Sequence, residues 1–152
     1  MPPINQFKCS ACTFILPSGW GGVEYVTDYE GERVILSHPG ENFIIERVLN
    51  LPAGTFSHLM IGNPKWWWSK KKKEASKKNK SDRDMAHGRC GFLSDCLCLD
   101  CLEIQSLDLE RDHRECHSCS SQNVKSTKEL LGQVCPNCKE GTIIEVETGM
   151  VA

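Results

Sequence analysis

Cys98-Leu99-Asp100-Cys101, then Leu102-Glu103-Ile104-Gln105-Ser106-Leu107-Asp108-Leu109, then Arg111-Asp112-His113, then Cys116-His117-Ser118-Cys119: the fold turns on this stretch. Two residues between cysteines let the backbone turn until both sulfurs face one point. Leu102-Glu103-Ile104 and Leu107-Asp108-Leu109 alternate in strand fashion, and Gln105-Ser106 between them shifts the phase as a bulge would. Arg111-Asp112-His113 carries turn formers that send the chain back. The reading is a knuckle, a strand, a turn and a returning knuckle.

Working outward, the spacing recurs at Cys9/Cys12 and Cys135/Cys138, so eight of the ten cysteines in the 152 residues stand in four Cys-x-x-Cys pairs. The start, Met1-Pro2-Pro3-Ile4-Asn5-Gln6, reads unlike a secretory signal, and no apolar run is long enough to span a bilayer. The expectation is a cytoplasmic chain with reduced thiols, in which metal coordination explains the pairs better than disulfides. Two knuckles complete a tetrahedron of thiolates, so four make two sites. Soft thiolates select Zn²⁺, Fe or Cu(I) over Mg²⁺ or Ca²⁺. The expected cofactor is Zn²⁺, two per chain, with iron as the alternative. The expected ligands are Cys9, Cys12, Cys98, Cys101, Cys116, Cys119, Cys135 and Cys138.

Which pairs share an ion is open on spacing alone. Joining the second knuckle to the third closes 14 residues, and joining the third to the fourth closes 15. Local pattern favours the first choice, because Lys128-Glu129-Leu130-Leu131-Gly132 reads as a helical turn stopped by glycine. Cys9/Cys12 would then meet Cys135/Cys138 and tie the chain ends together. A sequential pairing and an interleaved cross-brace are the alternatives. Cys90 and Cys96 stand outside the pairs. They read as small buried residues beside the metal core, and the sharper alternative is a third site with His87.

Cys98-Leu99-Asp100-Cys101 with Cys116-His117-Ser118-Cys119 resembles a zinc ribbon. Cys135-Pro136-Asn137-Cys138, followed by the strand-like Gly141-Thr142-Ile143-Ile144-Glu145-Val146, resembles another ribbon knuckle. Ribbons and rubredoxins often carry glycine right after the second cysteine. Here those positions hold Thr13, Leu102, Ser120 and Lys139, which counts against a rubredoxin-like iron electron carrier. The resemblance implies a fold type: a small, metal-stabilised α+β chain of ribbon hairpins with two four-cysteine sites.

Composition divides the chain into residues 1–64, 65–89 and 90–152. In the first part, Val23-Glu24-Tyr25-Val26 and Arg33-Val34-Ile35-Leu36 read as a hairpin about a polar, glycine-containing turn. Phe43, Ile44, Val48 and Leu51 fall at helical spacing, so residues 41–50 read as a short helix ended by Pro52, with strand as the alternative. Residues 65–89 hold eight Lys and two Arg against three acidic residues, a local +7 inside a chain of net −2. Like charges at that density, without apolar residues to bury, predict disorder or a solvated helix over residues 69–84. Residues 90–152 form the ribbon part, which could share one metal with the first.

Three functions compete. Indoles of Trp66, Trp67 and Trp68 beside Lys70, Lys71, Lys72, Lys73, Lys77, Lys78 and Lys80 could stack on bases and neutralise phosphates of DNA or RNA. That gives a non-catalytic, nucleic-acid-associated or regulatory zinc module. In a protein-interaction adaptor the same segment would only link, and an iron electron carrier is the third reading. No glycine-rich phosphate loop, nucleophile elbow or His-Glu-x-x-His helix occurs. The chain is not expected to be an enzyme.

Overall fold

The computed structural model describes residues 3–37, 40–55, 82 and 84–150. It is an α+β structure in which strands predominate. The elements are β1 (Pro3–Cys9), β2 (Gly22–Thr27), β3 (Arg33–Ile35), α1 (Glu41–Val48), β4 (Cys90–Cys98), β5 (Ile104–Leu107), β6 (Val124–Ser126), α3 (Thr127–Leu130) and β7 (Ile143–Met150), with residues 84–89 helical as α2. The chain forms two compact units: one joins the stretch through Val23 to the stretch from Phe92 onward, and the other is Glu24–Gly91.

In the second unit the β2–β3 hairpin pairs Tyr25 with Ile35 and Thr27 with Arg33. Its turn is closed by the Asp28 carboxylate, which accepts from the Glu30 and Glu32 amides at 2.9 Å each. Helix α1 ends two residues earlier than its apolar spacing predicts. The Leu51 amide reaches back to the Glu46 carbonyl (2.8 Å) and the Asn50 amide to the Arg47 carbonyl (3.3 Å). Asn50 takes the left-handed conformation, φ +49°, that such a stop requires. The buried face is Ile45 and Leu49, packed with Val26, Leu36 and Ala86. Phe43, expected on that face, is 68% exposed.

The first unit holds all four knuckles. β4 is the middle of a three-stranded arrangement, pairing antiparallel with β5 (Leu97 opposite Ile104) and with β6 (Cys98 opposite Val124). β5 is continuous through Gln105 and Ser106, so the expected bulge is absent. The strand alternates in the other phase: Gln105 and Leu107 point inward, Ile104 outward. The apolar residues suggest Ile104 as the inward side chain, but hydrogen bonding wins at this position, as the site below explains.

β1 and β7 form a two-stranded antiparallel ribbon from Cys9 opposite Ile143 to Pro3 opposite Met150, with an irregularity at Ile4/Asn5. The other edge of β1 takes the Leu16 amide on the Phe7 carbonyl (2.8 Å) and the Gly19 amide on Asn5 (2.8 Å). Behind this ribbon Phe7, Leu16, Leu97, Leu130 and Ile143 make a buried core with Cys9 and Cys135. Burying an aliphatic or phenyl side chain contributes roughly 1.5–3 kcal/mol, and here that gain presses two cysteine-bearing turns together.

Candidate metal centres

Three of the four knuckles share a backbone solution. After the second cysteine the next amide donates to the carbonyl of the first: Leu102 to Cys98 (2.9 Å), Ser120 to Cys116 (2.8 Å), Lys139 to Cys135 (3.0 Å). Closing that turn puts Leu102, Ser120 and Lys139 at φ +61°, +55° and +63°. These are the positions where a ribbon would carry glycine, so this chain keeps the left-handed turn and accepts a side chain in it. That conformation costs an L-residue roughly 1–2 kcal/mol. The first knuckle is built differently. Thr13 is not among the left-handed residues; instead the Cys9 amide donates to the Phe14 carbonyl (2.9 Å) and the Ala11 amide to Cys9 Sγ (3.3 Å).

The four turns converge in pairs. Cys9, Cys12, Cys135 and Cys138 form one group, centre A; Cys98, Cys101, Cys116 and Cys119 form another, centre B. Within each group the four sulfurs lie within 4.8 Å of one another. The close approaches are 3.6 Å (Cys9–Cys138) and 3.9 Å (Cys12–Cys135) in A, and 3.6 Å (Cys98–Cys119) and 3.5 Å (Cys101–Cys116) in B. A tetrahedron with metal–sulfur bonds of about 2.3 Å has sulfur–sulfur edges of about 3.8 Å. Disulfides need about 2.05 Å, and none of the ten cysteines is in one. The residues therefore fit a four-coordinate metal ion at both centres, in the pairing that local pattern favoured.

Centre A is held from the ribbon. The Ser10 amide donates to the Thr142 carbonyl (2.9 Å), and the Thr142 amide donates to Ser10 Oγ (3.1 Å). Asn137 Nδ2 approaches Cys12 Sγ at 3.8 Å, and the Gly141 amide donates to Cys138 Sγ at 3.4 Å. Gly141 has no alternative: a Cβ there would lie 2.5 Å from Cys9 Sγ and 2.8 Å from the Ala11 Cβ.

Centre B is held by side chains. The buried Gln105 donates through Nε2 to the Glu115 carbonyl (2.8 Å) and accepts through Oε1 from the His117 amide (2.9 Å). It thus grips the third knuckle on both sides of Cys116, which is why β5 turns Gln105 inward. Asp100, between the cysteines of the second knuckle, accepts from Ser121 Oγ and from Asn123 Nδ2 (3.0 Å). Those two bonds hold its carboxyl below the usual range.

The thiols pull against one another. In B, burial opposes ionisation of Cys98, yet the Cys101 and Asp100 amides and the neighbouring thiols bring it down to about 7. Cys101 receives the Glu103 amide, but burial and the adjacent Cys116, Cys119 and Cys98 sulfurs push it up to about 12. In A the Gly141 and Glu140 amides lower Cys138 to about 6, while burial raises Cys135 to about 11. Four sulfurs this close cannot all ionise by themselves, and a divalent cation at their centre removes the conflict.

Cys96 and Cys90 belong to neither group, nor does His87, and these are the only such clusters among the described residues. Cys96 is buried with Cys98, Leu107, Cys116 and Val124, and burial pushes its thiol up to about 11. Cys90 packs against the separate core around Val26. Trp66, Trp67, Trp68, Lys70–Lys73, Lys77, Lys78 and Lys80, with the disorder expected over residues 69–84, lie outside the described residues apart from residues 82 and 84. Sequence reading missed Gln105, Asp100, Ser10 and Gly141. Its one overlooked signal was Ser126-Thr127-Lys128-Glu129, a capping box in which Ser126 Oγ accepts from the Glu129 amide (3.3 Å) and Glu129 accepts from the Ser126 amide (2.8 Å).

Fold and site together define a small, strand-rich α+β chain with two four-cysteine centres able to hold metal ions. No protein-family model, no curated protein and no solved structure matches it. Among the described residues no helix is long and apolar enough to cross a membrane.

Proposed function

We propose that this chain is a non-catalytic module built on two structural zinc ions, whose basic segment over residues 65–89 engages DNA or RNA. The observation that carries the zinc reading is the sulfur spacing of 3.5–3.9 Å in both tetrads. Four thiolates fill a tetrahedral shell and leave no position for water or substrate, so such an ion supplies structure and no reaction chemistry. The nucleic-acid part is supported by the run of lysines beside three tryptophans. Elemental analysis of purified protein should find two zinc per chain in a colourless solution. Red protein with iron bands that bleach on reduction would replace this reading with an electron carrier.

A second reading, a protein-interaction adaptor, is favoured by one feature. A groove of about 410 Å³ at centre A is lined by Lys8, Cys9, Ser10, Cys12, Thr13, Ile15 and Ile144, and Ile15 is 51% exposed. Nucleic-acid affinity measured against salt separates the two. The first predicts a steep negative slope that vanishes when Lys70–Lys73, Lys77, Lys78 and Lys80 are neutralised. Binding indifferent to those lysines favours the adaptor.

A further inference from the structure

β4 separates the two centres, and its alternation distributes side chains between them. Cys96 and Cys98 face the core that includes Cys116, Leu107 and Val124. Leu97 faces the other way, buried with Cys9, Cys135, Phe7, Leu130 and Ile143. The second knuckle extends the division. Its thiols, Cys98 and Cys101, belong to centre B, but Leu99 and Leu102 pack against the core that contains Cys9 and Cys135 of centre A, as Cys12 and Cys138 also do.

Where those leucines sit is dictated by the knuckle. The Leu99 amide donates to the Asn123 carbonyl (2.9 Å), and the Leu102 amide closes the turn on Cys98 (2.9 Å). Leu102 is held at φ +61°, a conformation that relaxes once nothing enforces it. An ion bound by Cys98 and Cys101 enforces it. We infer that Leu99 and Leu102 are positioning residues that couple the two centres, so that filling B raises the affinity of A. The chain's contour sets the order of filling. Centre B joins cysteines 15 residues apart (Cys101–Cys116) and centre A joins cysteines 123 apart (Cys12–Cys135); by the logarithmic closure rule B is favoured roughly twentyfold.

This inference rests on the structural-zinc reading, and the test separates their failures. Zinc is titrated into the full-length chain against a chromophoric chelator, with native mass spectrometry counting ions. C12S/C138S reports B alone, C101S/C119S reports A alone, and the wild type reports both. The product of the wild-type constants should exceed that of the single-centre constants by about tenfold, equally in both directions, since coupling is reciprocal. Leu99→Ala should reduce this factor below threefold without changing zinc affinity in the C12S/C138S background, and Leu99→Met should retain it. Two ions bound with a wild-type factor near one, or a factor unmoved by Leu99→Ala, overturns the coupling alone. No zinc bound overturns the proposed function as well. A second measurement does not need the C101S/C119S chain to fold. With one equivalent of zinc, N-ethylmaleimide should label Cys9, Cys12, Cys135 and Cys138 in roughly twice as many chains as the other four cysteines. With two equivalents, Leu99→Ala should speed labelling at both centres by the same factor, about three- to tenfold, since the lost coupling is reciprocal. The reverse order, or acceleration at one centre alone, overturns the inference.

Discussion

Centres A and B each bring four cysteine sulfurs together at nearly the same spacing, yet they differ in what they join. The contacts in A span 129 and 123 residues and those in B span 21 and 15. In both, the first cysteine of each pair is buried. The second cysteines are half-buried in A and exposed in B. A is packed by apolar residues behind a ribbon that pairs the two chain ends, whereas B is gripped by the polar side chains of Gln105 and Asp100. Identical donor chemistry thus serves as a long-range staple at one place and a local clasp at another.

The largest expected effect breaks the staple. Cys9→Ser with Cys135→Ser removes two buried ligands and releases β1 from β7, and structural zinc contributes apparent binding energies of about 10–16 kcal/mol in small domains. The first unit should lose cooperative melting, and amides of residues 143–148 should lose hydrogen-exchange protection. Cys101→Ser with Cys119→Ser should spare much of that ribbon protection. Equal loss of ribbon protection in both variants would erase the distinction.

Gly141→Ala attacks A through space. Its new Cβ would fall inside contact distance of Cys9 Sγ and of Ala11, where overpacking costs typically about 1–3 kcal/mol. Native mass spectrometry should show one ion lost first from A, with B retained. The mirror experiment is Gln105→Leu, which keeps the bulk but leaves the Glu115 carbonyl and His117 amide without their partner. A part-buried group left without its partner costs up to about 1–3 kcal/mol, so chelator should strip B sooner while A holds its ion. Unchanged stripping would mean that Gln105 does not support the third knuckle.

These two positions mark the limit of what the sequence revealed. The eight clustered cysteines were legible because a cysteine pair with two residues between is a local pattern, and a helical stop such as Gly132, at φ +77°, is local too. The pairing of β1 with β7 was not. Pro3–Cys9 shows no clean alternation, and its strand exists because Phe7 and Cys9 find Ile143 across the length of the chain. Gln105 misled for a related reason. Hydropathy places Ile104 inside, but two unmatched backbone groups near Cys116 are worth more than one isoleucine at that position. Gly141 carried no local signal, since the atom it must avoid belongs to Cys9.

The smallest expected effect separates the first knuckle from the other three. Lys139 and Ser120 are held at φ +63° and +55°, and neither is in the buried core. Glycine removes the Cβ penalty of roughly 1–2 kcal/mol and gives back about 0.4–1 kcal/mol through the freer unfolded chain. Lys139→Gly and Ser120→Gly should therefore stabilise the zinc-loaded protein by a net of about 0.5 kcal/mol, read as a small rise in the urea midpoint. Leu102→Gly should not, because the same strain relief is outweighed by the packing lost against the core of centre A. Thr13→Gly should destabilise, because Thr13 is not left-handed and only the entropic loss remains. A gain at Thr13 equal to that at Lys139 would mean that all four turns share one backbone geometry, and the first knuckle's separate hydrogen-bond pattern would then play no part in how centre A closes.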